Sequence, residues 1–268
     1  VTPTEPASPK AFSAAPAHEK GKAMFTEEKF QQALRTPRLA RPVPEFLNAN
    51  RGAPVRAIPE HELQATTRAW FDNFERKLEF YRKLGVDLSW LMDWAKKYWW
   101  SWIDRDMSYN HELYAADMRY TDVTTFGRTI VGIDDFVTYN MAFFDAIPDW
   151  RYDPLPDQIY IDVTPDHKVR TVIRYIGSGH WSGPLRLYPY DGSGPVIYGT
   201  GRFLQCPAVD RYHFNEQGLL EEGETLYDAI DATQRAGVLP RDDSWQFKAL
   251  FAASRVPAIA AKIRAGVH

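Results

Sequence analysis

Few side chains in this sequence can exchange a proton near neutrality. His180 stands just before the short Ser182 and Gly183 turn, and His213 lies in a β-rich run two residues after Arg211. An imidazole titrates close to physiological pH, so each histidine is a candidate base, against the plainer reading of a surface or structural residue. Arg211 stays charged at any working pH and cannot shuttle protons, but facing a pocket it could stabilise an enolate, phenolate or alkoxide oxygen.

Other machinery is missing from the motifs. Gly177, Gly179 and Gly183 are too irregular for a dinucleotide fingerprint, and no phosphate-loop sequence occurs. His111 and Glu112 begin like a zinc-protease helix, but Ala115 stands where the second ligand would be, so no metal is expected. In GHWSG (179–183), Ser182 is misplaced between the glycines for a nucleophile elbow. What remains is proton transfer by ordinary side chains in a pocket, with no cofactor expected.

Such chemistry needs a water-poor pocket, and the aromatic residues supply its walls. They make up 14% of 268 residues, and Trp90, Trp94, Trp99, Trp100 and Trp102 place five of nine tryptophans within thirteen positions. Rings offer large apolar area at little entropic cost, and offset stacking adds roughly 0.5–1.5 kcal/mol per pair. Trp99 and Trp102, three apart, are candidates to touch substrate, together with Tyr120, Phe144 and Trp181. The competing assignment is core or subunit interface.

The elements that must position these residues can be read from periodicity. Nine of nineteen prolines fall in residues 1–59, which predicts an extended arm. Interspersed Phe25, Phe30, Leu34, Leu39, Phe46 and Leu47 suit it to lie along the globular part or a neighbouring subunit; a free tail is the alternative. Residues 60–88 hold an amphipathic helix (Leu63, Trp70, Phe74, Leu78, Tyr81) stopped by Gly85, and a linker. Residues 89–240 form the main domain: a tryptophan helix starting at Ser89 as N-cap, a short helix over 108–115, a strand over 118–123 and a helix over 134–148. Strands over 150–162, 168–180, 196–214 and 219–227 follow, with turns at Asp166 and His167 and at residues 215–218, so most neighbours should be antiparallel. Residues 228–237 and 244–265 look helical, the latter within a C-terminal unit 241–268. Helices before a bent antiparallel sheet make an α+β domain whose concave face the aromatic helix can cover. In KVRTVIRYIG, either Val172 with Ile176 or Ile173 with Tyr175 could face inward.

Composition bounds the class. A hydrophobic fraction of 44% with 25% charged residues excludes a disordered chain. A net charge of −3 lacks the clustered basic surface that nucleic acid requires. No apolar stretch is long enough for a membrane helix, and no signal peptide is visible. The lone Cys206 suits a buried strand position in a reducing compartment, so the cytoplasm is expected.

YHFNEQGLLEEGETLYDAIDATQRAG (212–237) resembles the closing hairpin of the SnoaL-like polyketide cyclases, with an Asp ten residues after the turn glycine. WSWIDRDMSYNHELYAADMRYTDVTTFGRTIVGIDDF is similar to that family's opening helices and first strand, and PDW (148–150) and GSGHWSG (177–183) fall where similar sequences have Pro-Asp and Gly-x-His-x-Gly. Residues 90–240 carry the resemblance through the order and spacing of these motifs. It implies the nuclear-transport-factor-like α+β barrel, a cone-shaped curved sheet shared with ketosteroid isomerase, scytalone dehydratase and limonene epoxide hydrolase. It also implies cofactor-independent action on hydrophobic small molecules and a homodimer or homotrimer.

By that resemblance Asp228 matches the cyclase acid/base, a helix N-cap being its alternative, and Asp122 occupies a polar first-strand position. An Asp228 carboxylate in an apolar cavity would have its pKa raised, and a second carboxylate there would push the two values apart. The chain departs from the cyclases in carrying Arg211 in place of a histidine, and Gln234 is one residue out of register. The expected function is acid–base chemistry on an aromatic or polycyclic molecule: cyclisation, isomerisation, dehydration, or lyase chemistry on a lignin-type diaryl compound with loss of formaldehyde. The alternative is a non-catalytic module that binds a hydrophobic ligand or scaffolds an assembly.

Overall fold

The computed structural model describes residues 25–47, 54–166, 168–190 and 192–264. The first 24 residues of the arm and His167 of the predicted turn lie outside them. The arm is not wholly extended. It holds helix α1 (Glu27–Ala33), capped by the Thr26 hydroxyl, and strands β1 (Phe46–Leu47) and β2 (Val55–Arg56), which pair antiparallel. Phe30 is buried, with its ring 4.9 Å from Phe71 and 5.6 Å from Trp99. This part of the arm is therefore packed into the core of its own chain.

Helix α2 (Glu60–Lys83) buries Leu63, Trp70, Phe74 and Leu78 along one stripe, with Glu60 and Glu62 at its start and Arg82 and Lys83 at its end, as the helix dipole favours. It is tied to the sheet by buried polar contacts: Thr67 donates to Asp153 (2.7 Å), and Arg151 bridges Asp153 (2.6 Å) and Glu60 (2.9 Å). Helix α3 (Trp90–Asp104) carries the tryptophans. Ser89 does not cap it: its backbone is already helical and makes no side-chain capping bond, while Asp87 accepts from the Ser89 N–H. A 3₁₀ turn (Met107–Tyr109) and α4 (Asn110–Leu113) stand where one short helix was expected.

Strands β3 (Tyr114–Asp122) and β4 (Ile130–Val131) lead to α5 (Ile133–Ala146), which ends ahead of Pro148. Then come β5 (Arg151–Val163), β6 (Val169–His180), a small hairpin of β7 (Leu185–Arg186) and β8 (Val196–Ile197), β9 (Phe203–Phe214) and β10 (Leu220–Tyr227). The single strand expected over 196–214 is thus two, because Gly201 turns the backbone at φ 72°. Helices α6 (Ala229–Arg235), α7 (Trp245–Ala253) and α8 (Arg255–Arg264) close the described chain. Trp245, Leu250, Phe251, Val256, Ile259 and Ile263 on α7 and α8 are exposed.

The main sheet has the order β4-β3-β10-β9-β6-β5. All neighbours are antiparallel except β3 and β10, so the sheet is mixed. Register shifts in β5 between Pro154 and Ile159, and in β10 between Leu220 and Glu222, are bulges of the kind that bend a sheet. Phase is fixed by burial: Val169, Thr171, Ile173 and Tyr175 of β6 are buried, and so are Leu204, Cys206, Ala208, Asp210, Tyr212 and Phe214 of β9. Between the Ile173/Tyr175 and Val172/Ile176 alternatives, the first faces the core. The result is an α+β fold with a curved sheet. Among the described residues no helix is long and apolar enough to cross a membrane.

Candidate active site

A cavity of about 220 Å³ opens between the sheet and α3, α5 and α6. Its walls are largely apolar and rich in aromatic rings, with Tyr98, Trp102, Tyr120, Tyr152, Tyr175 and Trp181 among them. Two carboxylates reach it, Asp122 and Asp210. Strand register explains why they share it: Asp122 of β3 is level with Thr225 of β10, and Thr225 is level with Asp210 of β9. With two strand spacings between them, the two aspartates lie about 10 Å apart along one row of the sheet.

Asp210 is the polar centre. It is 1% exposed, and three hydroxyls converge on it: Tyr152 (3.0 Å) and Tyr212 (2.5 Å) on Oδ2, and Thr225 (2.7 Å) on Oδ1. Tyr212 has one O–H hydrogen, so once the carboxylate takes it, the 2.5 Å contact with the Tyr98 hydroxyl is donated by Tyr98. The same reasoning makes Tyr120 the donor to Thr225 (2.5 Å). An ionised carboxylate has about four lone-pair sites, and three are used, which leaves one on Oδ1 for a substrate proton.

Burial pushes the Asp210 carboxyl up to about 6, against the hydroxyls, which favour the anion; the Asp122 charge adds to the rise. Burial also raises Asp122, opposed by Thr124, whose N–H (2.8 Å) and hydroxyl (2.5 Å) both donate to Oδ1. The surrounding phenols of Tyr98, Tyr120, Tyr152 and Tyr212 are driven well above their ordinary range by burial, so they remain donors. Cys206 also lines the cavity, but burial lifts its thiol to about 12, which leaves it without nucleophilic character at neutral pH. Tyr120 lies flat on β10 because Gly223 has no side chain: a Cβ there would come within 2.5 Å of the ring.

Only part of the expected site is brought together. Asp122, Trp102, Tyr120 and Trp181 line the cavity. Asp228 does not. It is exposed and accepts from the Asp231 N–H (2.9 Å) as N-cap of α6, because the strand ends at Tyr227 and its carboxylate is spent on the helix start. Arg211 and His213 occupy the opposite phase of β9 and face away, with Arg211 paired to Glu224 (2.9 Å) and Glu222 (3.0 Å). Burial lowers the His213 pKa, with Glu222 opposing. His180 is buried, but its Nδ1 is bound to Asp149 (2.6 Å), and it lines a separate groove. Trp99 turns from the cavity and donates to the Tyr152 carbonyl (2.9 Å), while Phe144 packs behind Trp102 at 5.2 Å. Tyr98, one turn before Trp102, takes the inward place.

Asp210, Tyr98, Tyr152, Tyr212 and Thr225 are the additions. Asp210 had a signal in the sequence. In FLQCPAVDRYHF the alternate positions Leu204, Cys206, Ala208, Tyr212 and Phe214 are apolar or aromatic, and Asp210 interrupts that inward phase.

No protein-family model and no curated protein matches the chain. Solved structures are similar at low identity. A protein from Jannaschia sp. CCS1 assigned to the SnoaL-like polyketide cyclases is 17% identical over 53% of this chain and 85% of its own, with a TM-score of 0.39. TsrD from Streptomyces laurentii is 16% identical over 57% of this chain and 99% of its own, at 0.44. A phenazine biosynthesis-related protein from Pseudomonas aeruginosa is 17% identical over 50% and 76%, at 0.35. SnoaL-like cyclases are thus among the structures this chain is similar to, as its motifs are. At this level the likeness is one of outline, and what the cavity can do follows from its own residues.

Proposed function

We propose that the chain is an acid–base enzyme for a hydrophobic aromatic small molecule, with Asp210 as the general base. The single observation that supports this is a fully buried carboxylate on an aromatic cavity, retaining a free lone pair and poised close to neutrality. At pH 7 it is mostly ionised, yet basic enough to take a proton from a carbon or hydroxyl next to an arene. The Tyr152, Tyr212 and Thr225 hydroxyls hold it in place, and Asp122 across the row is suited to return the proton. An apolar cavity of about 150 Å³ accepts benzene. The larger volume here favours a substrate of one or two rings over a large polycycle. Isomerisation, cyclisation and formaldehyde-releasing lyase chemistry all begin with such a proton transfer. A homodimer or homotrimer is part of the proposal, supported by the apolar side chains exposed on α7 and α8, with the mass in solution as its check.

A nitrobenzisoxazole tests the base directly, since its ring opens when a base removes the carbon-bound proton and the N–O bond breaks to a cyanophenolate. The native chain should accelerate opening with a rate that rises through pH about 6, and Asp210→Asn should lose about 10²–10⁴-fold. Equal rates in both proteins would remove Asp210 from the chemistry. Tryptophan quenching by the probe with no opening would instead support a binding module.

A further inference from the structure

A second concavity, sharing no residue with the barrel cavity, lies where the arm segment 41–47 crosses the ends of β6 and β9 beside α6. Its volume is about 430 Å³. At its floor His180, 4% exposed, is fixed from behind. Asp149 takes the imidazole Nδ1–H (2.6 Å) and is itself anchored by the His180 N–H (2.7 Å) and the Ala40 N–H (2.8 Å). Burial works against the Asp149 anion, but these hydrogen bonds outweigh it and hold the carboxyl below its ordinary range. With Nδ1 committed, Nε2 is the imidazole atom left for the groove.

The charge lining this groove is of one sign. Arg41, Arg202, Arg235 and Arg241 border it, and among the described residues no carboxylate does. Arg235 and Arg241 are already paired, with Asp231 (2.6 Å) and Asp243 (2.8 Å). Arg41 donates to the Gly201 carbonyl, and neither Arg41 nor Arg202 meets a carboxylate among the described residues. Arg202 is held across Gly237, where a Cβ would stand 2.6 Å from its side chain. Beside these cations the wall is apolar: the Phe46 ring is 51% exposed, and Phe203 packs on the His180 ring at 5.1 Å. Guanidinium forks match planar oxyanions, and an exposed aromatic ring beside them suits an apolar body.

We propose that this groove is a second binding site, for a small organic anion: its oxyanion group lies between Arg41 and Arg202 and accepts from the Nε2–H of a His180 imidazolium whose Nδ1–H stays with Asp149, and its apolar body rests on Phe46 and Phe203. The shared chemistry is an oxyanion on a hydrophobic frame, either a carboxylate or a phosphate ester. Calorimetric titration of the full chain with benzoate, phenyl phosphate and inorganic phosphate separates these sources. Benzoate or phenyl phosphate should bind more tightly than inorganic phosphate and should move the ¹⁵N resonance of His180 Nε2. Arg41→Gln with Arg202→Gln should weaken binding at least tenfold, yet leave nitrobenzisoxazole opening as in the native chain, since neither arginine borders the barrel cavity. Arg202→Gln alone, at an exposed position, should already weaken binding severalfold. Unchanged affinity in the double variant, or an unmoved His180 signal during benzoate binding, would overturn the proposal. Inorganic phosphate binding as tightly as both aromatic anions would overturn the organic frame.

Discussion

A carboxylate sealed in an aromatic cavity favours its protonated form, and this sets a pH dependence on folding. Asp210 rises from an ordinary 3.8 to about 6, so between those values the folded chain binds a proton that the unfolded chain releases. Stability from this group is therefore fully present below pH 4 and is lost as the pH rises through 6. A shift of about two units corresponds to about 3 kcal/mol. Urea denaturation should show native protein losing about that much relative to Asp210→Asn between pH 4 and 7, and parallel pH profiles for the two would contradict it. The cost is tolerable where the anion has a task, which is how a strained group at a site is best understood. At this scale the sequence was partly legible. Asp122 could be placed because it falls on a polar first-strand position of the cyclases the sequence resembles, whereas Asp210 stands in an otherwise apolar phase of its strand, next to Arg211 and His213 on the opposite phase. Their phase, not their chemistry, decides the matter: a one-residue step on a strand exchanges cavity for outer surface.

At the scale of elements, helices and long strands followed periodicity, and most boundaries fell within a few residues. Their ends and the short pieces did not, because those are set by contacts between distant segments. The β7–β8 hairpin has two-residue strands with no period of its own, and α1 depends on Phe30 finding the ring edges of Phe71 and Trp99. The same holds for close approaches. Gly177 on β6 lies under Trp150, where a Cβ would meet the ring at 2.2 Å, so this glycine is what allows the indole to lie flat at the cavity wall. Gly177→Ala should force Trp150 aside and cost about 1–3 kcal/mol, with altered tryptophan emission; an unchanged denaturation midpoint and spectrum would show that the wall is looser than its packing.

For the whole molecule, the described part of the arm shares one buried core with the helices and the curved sheet. Phe30 is 1% exposed, and its neighbours come from α2 and α3, so the arm contributes core to α2 and to α3, the latter of which also walls the cavity. Phe30→Ala should destabilise the chain by about 3–5 kcal/mol in a single cooperative transition. A loss below 1 kcal/mol would mean that the arm is an independent attachment. Over the described arm residues 25–47 and 54–59 the elements are short, the longest being the seven residues of α1, but which surface they meet was not written in the arm's own residues. That information resides in the tryptophan helix, whose outer ring Trp99 faces the arm while Tyr98 and Trp102 face the cavity.

The most direct test needs no substrate. Carbon-13 NMR of aspartate-labelled protein, with Asp210→Asn used to assign the signal, reads the ionisation of this one carboxyl as a function of pH. A midpoint near 6 is the result expected of a buried base. A midpoint at or below the ordinary 3.8 would describe a solvated or tightly paired anion and would contradict the role given to Asp210.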